Sequence, residues 1–228
     1  MRPVSRGSAP RVYKKYGDAI GDLEDRMGTY CSYCERRLPV SLAVEHVAPK
    51  YLKPALENKW ENFLLGCTKC NSVKKAQPTN KTDFLWPDLD NTLRAYTYSI
   101  GGFVQISAGL TVKQERRAEK LRDLVGLNRY DLPGHPAPAP RDKRWQQRKD
   151  AWDAAVLAKE KLRVLGNSVA ARDLVLIAAE AAGFFSVWMT VFSDNQDIRQ
   201  GLISKMKGTA IDCFDADFAA VKRPGGRL

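Results

Sequence analysis

Cys31-Ser-Tyr-Cys34 and Cys67-Thr-Lys-Cys70 form two C-x-x-C turns joined by the segment 35–66. Each turn folds back with its amides directed at the sulfurs, so the pair can close a tetrahedral shell of four thiolates. That shell suits Zn²⁺ and leaves no open coordination position, so the expected role of the ion is structural. The separation of the turns requires a small folded unit between them that returns the second knuckle to the first. Cys213 stands apart, in Ile211-Asp-Cys-Phe, and reads as a plain buried thiol.

An odd count of five cysteines, behind an N-terminus with no apolar stretch after Arg2 and Arg6, argues for a reducing compartment. The cytoplasm is the expected location. With only His46 and His135 present, sites built from several imidazoles are excluded. The most hydrophobic stretch, Leu174 to Phe192, is interrupted by Glu180, Gly183 and Ser186 and reads as two buried helical segments rather than a membrane span. Lys and Arg number 37 against 26 Asp and Glu, a net charge of +11, which favours a polyanionic partner such as nucleic acid.

Residues 1 to about 30 read as a basic arm punctuated by Pro and Gly, followed by a short helix from Tyr13 to Met27. Tyr96 to Ile106, with Gly101-Gly102 at its centre, carries a hairpin signal. A charged helix is expected over Thr111 to Val125, stopped by Gly126. Leu132 to Pro140 has four prolines and one glycine, which exclude helix and predict an extended linker holding an exposed His135. Arg141 to Leu165 is amphipathic, and Asn167 or Ser168 is placed to cap a following helix that is apolar nearly all round and therefore expected to be buried. The C-terminal Val221 to Leu228 is expected to fray.

The stretch between the knuckles holds Val44-Glu45-His46-Val47-Ala48-Pro49-Lys50 and Lys59-Trp60-Glu61-Asn62-Phe63-Leu64-Leu65-Gly66; Asn71-Ser-Val-Lys74-Lys75 follows the second knuckle. Nowhere else do a histidine, an acid, amides and lysines flank a metal-stapled scaffold. Adjacent side chains of a strand point to opposite faces, so Glu45 and His46 can share one site only at a bend or strand end, which Pro49 supplies.

The run C-x-x-C, E-H-x-x-P-K, N-x-L-L-x-C-x-x-C-N-x-x-K, from Cys31 to Lys75, resembles the HNH endonuclease family in its zinc-stapled form. The resemblance implies an α+β fold: a zinc-stapled ββα-metal HNH core over residues 1–82, followed by a mainly α-helical lobe over 83–228 with the Pro-rich linker near 132–140. It implies His46 as general base and Asn62 as the residue that pins the loop. Glu45 and Asn71 would be ligands of a catalytic divalent ion, and Cys31, Cys34, Cys67 and Cys70 the ligands of structural Zn²⁺. Many members carry Asp or His at the position of Glu45, and His at that of Asn71. Both side chains here still offer oxygen, which favours Mg²⁺ or Mn²⁺ over a catalytic zinc. Lys50, Lys74 and Lys75 are candidate contacts to flanking phosphates.

The opening Met1-Arg-Pro-Val4, Phe84-Leu-Trp-Pro87-Asp, Leu124-x-Gly126-Leu-Asn128-Arg129 and Gly183-Phe-Phe-Ser-x-Trp188 extend the similarity to PtuB-type HNH proteins. This wider resemblance implies a prokaryotic anti-phage nuclease acting on nucleic acid, DNA before RNA, with a separate ATPase of the Septu (PtuA) type, and no membrane partner. The competing expectation is a zinc-containing module that binds nucleic acid or protein and does no chemistry. It accounts equally well for the charge and the knuckles, but not for the arrangement of His46, Asn62 and Asn71.

Overall fold

The structure is a computed structural model describing residues 1–228. A 3-10 turn at Tyr16–Ala19 leads into α1 (Ile20–Met27), and β1 (Leu42–His46) pairs antiparallel with β2 (Phe63–Cys67). The second knuckle starts α2 (Thr68–Lys74), where Cys67 is the N-cap and its sulfur accepts from the Cys70 amide. A strand pair and one helix are thus held between the cysteines, a mixed α/β core. The hairpin of β3 (Tyr96–Ser99) and β4 (Phe103–Ile106) turns through Gly101 and Gly102, both at positive φ. A Cβ on Gly102 would stand 2.7 Å from the Lys149 amide nitrogen, so this turn must be glycine for the hairpin to reach the helix beside it.

The remainder is largely helical. Thr111 and Gln114 form a reciprocal capping box at the start of α3 (Val112–Leu124), and Gly126 takes positive φ just past its end, as the sequence predicts. α4 (Arg144–Leu165) buries Arg144, Arg148, Ala151, Ala155 and Leu162 on one face. Ser168 caps α5 (Val169–Ala182), followed by α6 (Phe185–Val191) and α7 (Gln196–Lys205). No helix is long and apolar enough to cross a membrane. One core cluster runs from Met1 to Leu228 and takes in residues on both sides of position 82.

Of the basic arm, Met1, Arg2 and Val4 are buried, and the Arg2 guanidinium donates to the carbonyls of Met27, Met206 and Lys207, whereas residues 7–12 are exposed. Three expectations are corrected by packing. The C-terminus does not fray, because Leu228 is buried, its carbonyl accepts from Asn91 and Arg223, and Arg227 pairs with Asp90. The α5 helix is buried on one side only; Leu174 and Ile177 are 63% and 57% exposed. The 132–140 segment is irregular and mostly exposed, yet it folds back rather than extending: the Tyr130 amide donates to the Pro136 carbonyl and His135 packs edge-on against Tyr130.

The buried Glu35 carboxylate draws these pieces together. It accepts from the Arg2 amide (2.9 Å), the Tyr98 hydroxyl (3.0 Å), the Ser186 amide (2.7 Å) and the Ser186 hydroxyl (2.8 Å), and lies 3.3 Å from the Met1 amine. Burial alone would raise its pKa, but the Met1 amine and the Ser186 donors outweigh that and hold it below the ordinary carboxylate range. A depressed folded pKa gives stability that is present above the unfolded value and lost as pH falls through the folded one. Glu35→Ala should therefore lower unfolding stability near neutrality by about 3–5 kcal/mol. In urea melts, its deficit against the unsubstituted protein should narrow as pH drops below about 4.3.

Candidate active site and metal centre

The four knuckle sulfurs are buried and lie within 4.8 Å of one another. Cys31–Cys70 and Cys34–Cys67 are each 3.7 Å apart, too long for disulfides. A tetrahedron with metal–sulfur bonds of about 2.3 Å has edges of about 3.8 Å, so the spacing fits Zn²⁺ held by four thiolates. Such a centre carries net negative charge in the interior. Two guanidiniums answer it: Arg36 Nη2 donates to Cys67 Sγ at 3.3 Å, and Arg144 Nη1 to Cys70 Sγ at 3.1 Å. Arg144 comes from the first turn of α4; its Nη1 also donates to the Val125 carbonyl, while Nε and Nη2 hold Asp142. Neither arginine was singled out from the sequence, since nothing local marks a residue at 144 as a neighbour of Cys70.

On one side of β1, Glu45 and Asn71 converge over Gly66. A Cβ on Gly66 would stand 2.6 Å from Asn71 Oδ1 and 2.9 Å from Glu45 Cβ, so any side chain there would collide with both. Asn71 Oδ1 is sealed from solvent with no hydrogen-bond partner. Glu45 is buried, and burial pushes its carboxyl above the ordinary range against the pull of Lys74. Lys74 is the correction here. The sequence suggested a surface phosphate contact, but Lys74 is buried, with Nζ 2.8 Å from Glu45 Oε1 and donating to the His46 carbonyl at 2.7 Å. One helical turn after Asn71, it faces inward to compensate the buried acid, whereas its neighbour Lys75 is exposed. An unpartnered amide oxygen beside a buried carboxylate is a donor set that suits a hard divalent cation.

The His46 ring leaves the other side of the strand. It stands edge-on to Tyr16 (centroids 4.9 Å) and Phe63 (5.4 Å), and its Nε2 is 2.8 Å from the Glu57 carbonyl. A carbonyl can only accept, so Nε2 carries the proton and Nδ1, which has no partner within the protein, is the basic nitrogen. Burial lowers the imidazole pKa, the Glu57 carbonyl opposes that, and the charges of Lys50 and Lys74 lower it further; the ring is neutral near pH 7. Asn62 is buried and joins the two arms of the loop: its Oδ1 accepts from the Ala48 amide (2.7 Å), while Nδ2 donates to the carbonyls of Ala48 (2.9 Å) and Leu56 (3.2 Å). Lys50 is exposed, pairs with Glu57 at 3.3 Å and lies 4.2 Å above the Tyr16 ring. Tyr16 and the Glu57 carbonyl also escaped the sequence reading, although the basic-aromatic run Lys14-Lys15-Tyr16 was a signal that could have been followed.

The arginine contacts predict a dependence of metal affinity on residues that do not ligate. Arg144→Ala and Arg36→Ala should each weaken zinc binding about 10–100-fold in competition with a chromophoric chelator. The substitution at the partly exposed Arg36 should do so with little change in secondary structure by circular dichroism.

No curated protein is similar enough to the chain to stand as its relative. The family model described as HNH endonuclease matches residues 31–77, the span that holds both knuckles, β1, β2 and α2. That segment, with its four-cysteine metal-binding cluster, is an HNH endonuclease domain.

Proposed function

We propose that the protein hydrolyses phosphodiester bonds of nucleic acid with a divalent metal, using His46 as general base and Glu45 and Asn71 as metal ligands. The observation that carries this reading is the His46 imidazole, anchored through Nε2 and free at Nδ1, next to a strand position whose carboxylate meets the orphaned Asn71 oxygen. Bound Mg²⁺ or Mn²⁺ would supply charge neutralisation at the scissile phosphate and its leaving oxygen.

The protein's own part is orientation and proton movement. Asn62 fixes the loop from both sides, so the Glu57 carbonyl stays in place and holds one tautomer of His46. Nδ1 is then free to take the proton of an attacking water. Because Glu45 and His46 leave the strand on opposite faces, a phosphate at the strand end would have the base on one side and the acid–amide pair on the other. In-line displacement needs that arrangement, with nucleophile and leaving oxygen on opposite sides of phosphorus. Lys50 and Lys75, both exposed, are available to neighbouring phosphates.

The wider resemblance supports a place for this nuclease in a prokaryotic anti-phage system, paired with an ATPase of the PtuA type and acting on DNA before RNA. The helical lobe offers a surface for such a protein: Leu157 and Val164 on α4 and Leu174 and Ile177 on α5 are all more than half exposed. In co-expression with an ATPase of that type the two chains should co-purify, and Leu174→Asp combined with Ile177→Asp should separate them.

His46→Ala tests the chemistry. General-base catalysis contributes about 10²–10⁴-fold, so cleavage of plasmid and RNA with Mn²⁺ should fall by that factor while zinc content and the urea midpoint stay near those of the unsubstituted protein. Equal cleavage by both proteins would remove His46 from the mechanism. Metal-independent binding with no cleavage by either, alone or with the ATPase, would select the non-catalytic zinc module.

A further inference from the structure

The wall beside His46 is built by two segments that approach from different parts of the chain. Residues 6–16, outside the HNH segment, are tied to the β1–β2 loop at several points. Arg6 donates to the carbonyls of Glu61 and Phe63, Trp60 Nε1 donates to the Gly7 carbonyl, Tyr13 stacks on Trp60, and Asn58 Nδ2 donates to the Lys14 carbonyl. Lys14, Lys15 and Tyr16 are thereby fixed at the mouth of the site. With Glu57 and Asn58 they line a cavity of about 420 Å³. Opposite them, the amides of Leu52 and Lys53 both turn back to the Pro49 carbonyl and form a tight turn that presents Lys50, Tyr51 and Lys53 to solvent. Lys50 bridges the two segments by lying over Tyr16.

Tyr51 is the unusual member. It is 82% exposed, a large aromatic ring standing in solvent between two lysines, and it contributes nothing to the core. An exposed ring offers a face on which a base can stack, and a tyrosine interleaved with ammonium groups matches the alternation of base and phosphate along a single strand. Of the acids that touch these segments, Glu57 pairs with Lys50, Asp22 with Arg11 and Asp88 with Arg6, which leaves Asp18 on the cavity wall with Lys14 and Lys15. The field at the mouth favours a polyanion. Inside a duplex no base face is open to Tyr51 without unstacking.

We propose that Lys14, Lys15, Lys50 and Lys53, with Tyr51 as a stacking platform, form a strand-binding subsite beside His46 that selects nucleic acid with unpaired nucleotides at the cut. The proposal rests on the nuclease reading above for the identity of the ligand. It goes further in naming the substrate class and in assigning Lys14, Lys15 and Tyr51, none of which belongs to the expected catalytic set.

The test measures binding apart from cleavage. Full-length His46→Ala protein, titrated by fluorescence anisotropy against a short fluorescein-labelled single strand of mixed sequence and against its duplex, should prefer the single strand. Adding Tyr51→Ala should weaken single-strand binding about tenfold or more, while Tyr51→Phe should retain it, because stacking needs the ring and not the hydroxyl. Replacing both Lys14 and Lys15 with alanine should flatten the dependence of log affinity on log salt by about 1.4, the value for two phosphate contacts to a single strand. Duplex bound as tightly as single strand, or Tyr51→Ala without effect, would overturn the proposal. Tyr51-dependent binding in a protein that never cleaves would uphold the subsite and overturn the catalytic reading instead, so the two failures are distinct.

Discussion

Four thiolates packed to van der Waals distance inside a protein repel one another, and the arrangement survives only with positive charge at its centre and at its edge. Zinc supplies the first, and Arg36 and Arg144 the second. This interaction governs more than the knuckles. Cys67 ends β2 and caps α2, so fixing its sulfur fixes the junction from which Gly66 faces Glu45 and Asn71 begins its turn of helix. Arg144 is the first residue of α4, so the same contact sets where the longest helix of the lobe begins. A structural ion thus positions the candidate chemistry on one side and the helical lobe on the other without touching a substrate.

Around this staple, buried charge is answered locally and mostly from a distance in sequence. Glu35 gathers donors from residues 2, 98 and 186; Glu45 is met by Lys74; Asp142 and Arg144 neutralise each other beside the thiolates. Buried charges that lack such partners are costly, and the loss of one partner typically costs more than the pair contributes. The result is an interior whose polar contacts specify the assembly of the pieces, with Glu35 joining the first knuckle to the hairpin and to the start of α6.

What could be read from the chain was whatever depends on short-range pattern. The C-x-x-C turns, the Gly101-Gly102 hairpin, the Gly126 stop and the Ser168 cap are local chemistry, and each stands where the residues place it. Asn62 bridging Ala48 and Leu56 is likewise contained within the span of the motif. Lys74 was misread because its neighbour Lys75 has the same side chain, and only the phase of α2 against Glu45 separates a buried counter-charge from a solvated one. Nor does local pattern show that the guanidiniums of Arg2 and Arg6 find carbonyl oxygens contributed by distant segments. The apolar α5 helix erred in the opposite direction, since composition alone does not reveal that one face has no neighbour.

Arg2 grips carbonyls at 206 and 207, and Val4 bridges to Thr209, while Arg6, four residues on from Arg2, supports the loop that carries Glu61 and Phe63. Residues 2–4 therefore find their places only once residues 206–209 have been brought to them. Contacts of such wide separation close late, after local elements have formed. The knuckles and the β1–β2 pair need no such distant partner, so they can take up their ion before residues 2–4 settle against residues 206–209.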